Sequence, residues 1–381
     1  MALIRYIADF FRECDKKLMT LVLLLTSFGC IEVLSATYGI TGSLKQFIMQ
    51  VVGMFLGVIA VIAVSPWDYT RLSRFWPIFA AIGIIPVILT FFIGYAPGNT
   101  DDKAWLLLPG GISFQPAELL KIAFVITFGY HIFKLGDKAK KLVNILLLCA
   151  HGGFYIMLVH LQGDDGTALI FALMFIAMLF TAGISIWYFI VAGGAALVSL
   201  PFVYFYVMNE DQQNRIYSLL FPTKEDYMGT LWQQWKGRIA LANGGFFGKG
   251  LFRGPYVQSG SIPEGYNDFI FSSIGEECGI IGCVVVIALL IAICYRILKI
   301  GHQSGNSLGQ TICAGIFGMI AGQTIINLGM NLSLLPVIGV TLPLLSAGGT
   351  SIVCTYLALA LVNNIHMHSN YGMIFLHDDY I

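Results

Sequence analysis

The stretch Ile262–Gly282, IPEGYNDFIFSSIGEECGIIG, runs directly into an apolar segment, Ile280–Ile293. Four acids, Glu264, Asp268, Glu276 and Glu277, stand at the entrance to that segment. Carboxylates are costly beside a hydrophobic span unless a partner or a function holds them there. The stretch sets two expectations. The chain crosses a membrane, and its chemistry sits where polar residues meet apolar runs.

The rest of the chain agrees. Of 381 residues, 57% are hydrophobic and 11% charged, and mean hydropathy is +0.80. A water-soluble protein of this length has too little interior for so much apolar surface. A formal net charge of +0 provides no basic field for nucleic acid, which is excluded as a partner. The eight cysteines lie in or beside apolar runs without metal-type spacing, so they read as small core residues.

Apolar runs of spanning length recur at Leu18–Ala36, Phe47–Val64, Pro77–Ile93, Ala117–Phe133, Leu142–His160, Thr167–Ala182, Ile186–Met208, Phe269–Leu298, Ser307–Met330 and Gly349–Ile365. The expected fold is an all-α polytopic membrane protein with about ten transmembrane helices, a single membrane domain over residues 1–381. In residues 1–17, Leu3, Ile7, Phe10 and Cys14 share one helical face, as in a short helix lying in the interface. Because further spans follow the first, that run is an anchor and not a cleaved leader.

Arg71 and Arg74, the lysines 134, 138, 140 and 141, Arg296 and Lys299 fall on one side together with the basic N-terminus. The positive-inside rule makes that side, and both termini, cytoplasmic. The long connection between helices 7 and 8, residues 209–267, is then extracellular. It is expected to lack clear secondary structure and, at that length, to be functional.

The polar clusters fall on the outer side. In TDDKAWLLLPGGISFQPAELLK (Thr100–Lys121), Glu118 and Lys121 stand three residues apart and can pair within the membrane. Either they lock helix packing, or Lys121 offers charge to a phosphate. Trp105 suits the interface or a sugar ring. In LQGDDGTALIF (Leu161–Phe171), Asp164 and Asp165 precede a helix start. Each can cap it, or the pair can help hold a hard divalent cation with a pyrophosphate. The fragment GGFFGKG lacks phosphate-loop spacing, and its glycines permit close backbone approach. Asp268 is either a helix cap or a general base whose pKa is raised by burial beside Phe269 and Phe271. Glu276 and Glu277 are placed near the outer interface. The segment LSLLPVIGVTLPLLSAGGTS is either packed for structure or closes a wall of a groove.

These motifs, with NGGFFGKGL, resemble in their order the SEDS family (shape, elongation, division and sporulation), the group containing RodA and FtsW. The resemblance covers roughly Asp15 to His366 and leans toward RodA. It implies a peptidoglycan glycosyltransferase acting on lipid II and the nascent glycan strand in the bacterial plasma membrane, active on the extracellular side. It implies Asp268 as the catalytic acid and substrate contacts at Trp105, Lys103, Glu118, Lys121, Asp164, Arg215 and Glu264. The implied partner is a class B penicillin-binding protein. The candidate cofactor is a divalent cation, Mg or Mn, with no organic cofactor. The sequence departs from the pattern at Gly163, where proline is usual, at Asp165, where leucine is usual, and at Ala347, where tyrosine is common. Two other readings stand beside this one. A lipid II flippase would place charges near the midplane, reachable from both sides. A non-catalytic scaffold would tolerate loss of the outer acids.

Overall fold

The computed structural model describes residues 9–42, 44–96, 103–108 and 111–378. Residues 9–13 are helical; the remainder of the expected interfacial helix, residues 1–8, lies outside the described residues. The first spanning helix, α1 (Lys16–Thr41), is capped by Asp15, whose side chain accepts from the Leu18 N–H at 2.8 Å. It is followed by α2 (Lys45–Val64), the short α3 (Tyr69–Arg74) and α4 (Trp76–Ile93), which starts with Pro77 in its first turn. Strands β1 (Leu106–Leu108) and β2 (Ile112–Phe114) pair antiparallel, with Leu106 opposite Phe114. Next come α5 (Pro116–Leu135), α6 (Leu142–His160), α7 (Asp165–Thr181) and α8 (Ile186–Tyr206).

The connection expected to lack secondary structure is in fact helical. It contains α9 (Glu210–Leu220), α10 (Trp232–Gly244) and the single turn α11 (Pro255–Gln258). Asn209 and Gln212 form a capping box at the start of α9. The chain ends with α12 (Ile270–Gln303), α13 (Ser307–Asn331) and α14 (Gly349–Asp378). Among the described residues, nine helices are long and apolar enough to cross a membrane, and α7 is a shorter apolar helix. Nine of the ten expected spans are recovered at spanning length, and the tenth, Thr167–Ala182, coincides with the shorter α7.

The spans differ in how deeply they are enclosed. The apolar windows of α13 and α14 are each 72% buried, whereas α8 has no buried residue. Thus α13, packed on α7, α12 and α5, and α14, packed on α2, form the centre. Buried polar side chains fix one end of this bundle. Arg296 pairs with Asp15, Asn363 receives the Asp15 N–H at 2.9 Å, and Asn364 receives the Tyr69 N–H at 3.0 Å. These bonds join the starts of α1 and α3 to the last third of α12 and the middle of α14. Asp268 precedes the opposite end of α12.

Helix α12 is broken at Gly279 (φ 68°, ψ −167°). The glycine-rich segment docks into the break. Lys249 and Gly250 donate to the carbonyls of Glu276 and Glu277, each at 2.9 Å, and Ile280 donates to Gly245 O at 3.0 Å. A helix break inside the protein needs such partners, because its freed backbone groups have no water. A Cβ at Gly279 would lie 2.4 Å from Gly248 N. The glycines therefore serve close backbone approach, as expected.

Glu276 and Glu277, expected near the outer interface, are both buried within the protein. Glu276 accepts from Asn243 Nδ2 at 2.8 Å and from the N–H groups of Tyr256 and Val257 at 3.1 and 2.7 Å. Glu277 accepts from Ser35 Oγ at 2.7 Å and from Gln258 Nε2 at 3.1 Å. These two acids hold α11 and α1 against α12.

Candidate functional site

Of the four acids that open the sequence argument, Asp268 alone has a carboxylate with no hydrogen-bond partner among the described residues. It does not cap α12: the residue at that position is Phe269, and no side chain bonds there. The Asp268 backbone is firmly held instead. Its carbonyl accepts from Asn327 Nδ2 at 2.8 Å and Asn331 Nδ2 at 2.9 Å. Asn327 also donates to Val340 O at 2.7 Å, so one amide fixes Asp268 and the facing loop together. Asn267 O receives Ser346 Oγ at 2.8 Å.

The Asp268 side chain is half-buried. Burial pushes its carboxyl up to about 7, and the charges of Glu264 and Asp164 add to the rise. A carboxyl poised there can take a proton near neutral pH.

Asp164 caps α7, accepting the Thr167 N–H at 2.9 Å, and its second oxygen accepts from Gln115 Nε2 at 2.5 Å. Burial raises its pKa; the Thr167 bond and the charge of Lys121 oppose the rise, and Glu118 adds to it. Lys121 Nζ lies 2.7 Å from Glu118 Oε1, and both side chains are buried. Ser351 Oγ donates to Glu118 Oε2 at 3.3 Å. The pair is therefore closed within the protein, and Lys121 reaches a phosphate only if the pair opens.

Arg215 is exposed, with Nη1 on Val337 O at 2.9 Å. Glu264 is exposed, has φ 51°, and accepts from Asn267 Nδ2 at 2.6 Å. Trp105 is half-buried, and its carbonyl accepts the Tyr95 N–H at 2.9 Å. Lys103 is exposed. Neither Lys103 nor Trp105 bonds to Asp268. Their hairpin instead reaches the start of α14, where Thr350 Oγ1 lies 3.5 Å from Ser113 O. The structure therefore brings Asp268, Asp164 and Glu264 into one electrostatic neighbourhood, with Glu118 and Lys121 behind Asp164.

Among the described residues, no three His, Cys, Asp or Glu side chains are grouped to hold a metal ion. Both Asp164 oxygens already have partners, whereas the Asp268 carboxylate has none among the described residues. This donor set does not by itself make a metal site.

Loop 332–348 is packed into the protein and also runs past Asp268. Leu342, Leu344 and Leu345 are buried, while Gly339 borders the Asp268 carboxylate: a Cβ there would lie 3.8 Å from Oδ2. Sequence reading missed Asn327, Asn331 and Gln115. The two asparagines had a signal, since amides one helical turn apart in an apolar run imply a buried backbone to satisfy. Gln115 had no signal beyond its place in the motif.

Fold and site together define a polytopic membrane protein whose Asp268 carboxyl, unpaired among the described residues and raised to about 7, stands before the first turn of α12. The profile of the FtsW, RodA and SpoVE family, described as "Cell cycle protein", matches residues 15–371, and the chain belongs to that family. It is 30% identical over 369 residues to the probable peptidoglycan glycosyltransferase FtsW of Trichlorobacter lovleyi, covering 93% of both chains. It is 29% identical over 356 residues to peptidoglycan glycosyltransferase MrdB of Escherichia coli K12, covering 93% of this chain and 94% of that one. Its fold matches a chain from a structure titled "Structural coordination of polymerization and crosslinking by a peptidoglycan synthase complex". The TM-score is 0.78 and the identity 22%, over 93% of this chain and 98% of that one. The relatives do not decide between the RodA and FtsW branches.

Proposed function

We propose that the protein is a peptidoglycan glycosyltransferase that polymerises lipid II. The observation that carries the reading is the Asp268 carboxylate, unpartnered and poised near neutrality on a backbone fixed by Asn327 and Asn331. Its family relatives carry the same activity in their names. Positive-inside orientation places the site on the extracellular side of a bacterial plasma membrane, with both termini inside.

Asp268 accepts the proton of the acceptor's GlcNAc 4-hydroxyl as its oxygen attacks C1 of the donor's MurNAc. The C1–O bond to the lipid pyrophosphate breaks, its electron pair leaves with the pyrophosphate oxygen, and C1 inverts. Arg215, which is exposed, offsets the departing charge. Lys121 acts at one remove, moderating the field at Asp164. Asp164 and Gln115 keep the start of α7 in place, Glu264 shapes the turn before Asp268, and Trp105 with Lys103 borders the sugar groove. An Mg or Mn ion would arrive with the pyrophosphate and offset part of its charge. By analogy with the synthase complex whose fold it shares, the protein works beside a crosslinking enzyme, a class B penicillin-binding protein.

Purified protein with labelled lipid II tests this. Glycan strands should form with wild type and not with Asp268→Asn. Equal rates would remove Asp268 as the base. Translocation of lipid II without polymer would favour the flippase.

A further inference from the structure

Asp165 faces away from the partners of Asp164. Its Oδ1 lies 2.6 Å from His160 Nδ1, and its Oδ2 accepts from Gln212 Nε2. Gln212 belongs to the capping box of α9, and its Oε1 accepts the Asn209 N–H at 3.0 Å. One amide thus closes the start of α9 and reaches across to α7. Nearly one turn further on, Arg215 donates to Val337 O at 2.9 Å.

Elsewhere α9 is thinly held. Ser218 is its one buried residue, and α8, which leads into it, has none. Both polar ties end on segments next to Asp268: Asp165 follows Asp164, whose charge acts on Asp268, and Val337 is two residues from Gly339, which borders the Asp268 carboxylate. A Cβ at Gly166, next to Asp165, would lie 2.3 Å from Ile338 O, so the start of α7 abuts the loop that borders Asp268.

We propose that Asp165 is a positioning residue: through Gln212 it holds α9 against α7 and so sets Arg215 beside the groove that takes the lipid-linked diphosphate. The inference deepens the polymerase reading and rests on it.

The test exchanges donor and acceptor. Gln212→Glu sets a carboxylate against Asp165 yet still accepts the Asn209 N–H, so the helix cap survives. Adding Asp165→Asn restores a donor opposite an acceptor at constant shape. The single variant should raise KM for lipid II about three- to ten-fold, the range of one net hydrogen bond, with kcat changed less. Amide hydrogen exchange over residues 210–220 should quicken. The double variant should return both toward wild type. The proposal is overturned if Gln212→Glu changes neither quantity, or if the double variant restores neither. Exchange is read without lipid II. A wild-type protein inactive on lipid II would therefore fail the polymerase reading, while the exchange pattern would still decide the tie.

Discussion

Asp268→Asn should make the protein inactive and, above neutral pH, more stable. The ordinary aspartate value is 3.8, and Asp268 sits at about 7. Below the lower value the carboxyl is protonated whether the chain is folded or not, so it costs no stability. Between the two values the unfolded chain releases a proton that the folded protein retains. Wild-type stability therefore falls as pH rises through this window, and the loss is complete above about 7. At about 1.4 kcal/mol per pH unit the gap is worth about 4 kcal/mol. Solvent contact at a half-buried side chain reduces that to about 2 kcal/mol.

Asparagine keeps the shape and never ionises. By pH 8 the variant should unfold at a temperature higher than wild type by on the order of a few °C, with little difference at pH 4.5. Thermal unfolding of detergent-purified protein, followed by tryptophan fluorescence, measures this. Polymerisation should fall by about 10²- to 10⁴-fold, the usual contribution of a general base. The wild-type rate should climb with pH, reach half its maximum near 7 and then level off. A variant equally stabilised at both pH values, or one that polymerises lipid II normally, would refute the reasoning.

Breaking the buried Lys121–Glu118 pair by Lys121→Met alone should cost about 3–5 kcal/mol, because Glu118 is left charged and alone. Adding Glu118→Gln should recover most of that in thermal unfolding, and polymerisation measured on the recovered protein separates a packing role from a phosphate role. Asn327→Ala removes the bonds to Asp268 O and Val340 O. It should destabilise by about 1–3 kcal/mol and lower kcat more than KM in steady-state assays. Gly279→Ala should cost about 1–3 kcal/mol through its positive φ alone. The close approach of Gly248 adds to this, seen as loss of folded protein by size-exclusion chromatography.

The spanning helices were legible because one physical requirement writes them into the chain: about twenty apolar residues are needed to cross a bilayer. The start of α5 at Pro116 and the cap at Asp164 were legible for a similar reason, since both depend on neighbouring residues. Local pattern failed where the partner was distant in sequence. Residues 209–267 looked irregular because their helices are short and are held by partners on other elements, α9 by Asp165 and Val337, α10 and α11 by Glu276 and Glu277. Glu276, Glu277 and Asp268 look alike in sequence. Bonds from α1, α10 and α11 engage the first two and leave the third open. By itself the sequence determined that this is a polytopic membrane protein of one family, because hydropathy and motif order are properties of the chain. Only the tertiary structure decided which acid stays free, because a carboxylate's partners and its pKa depend on groups that folding brings from far along the chain.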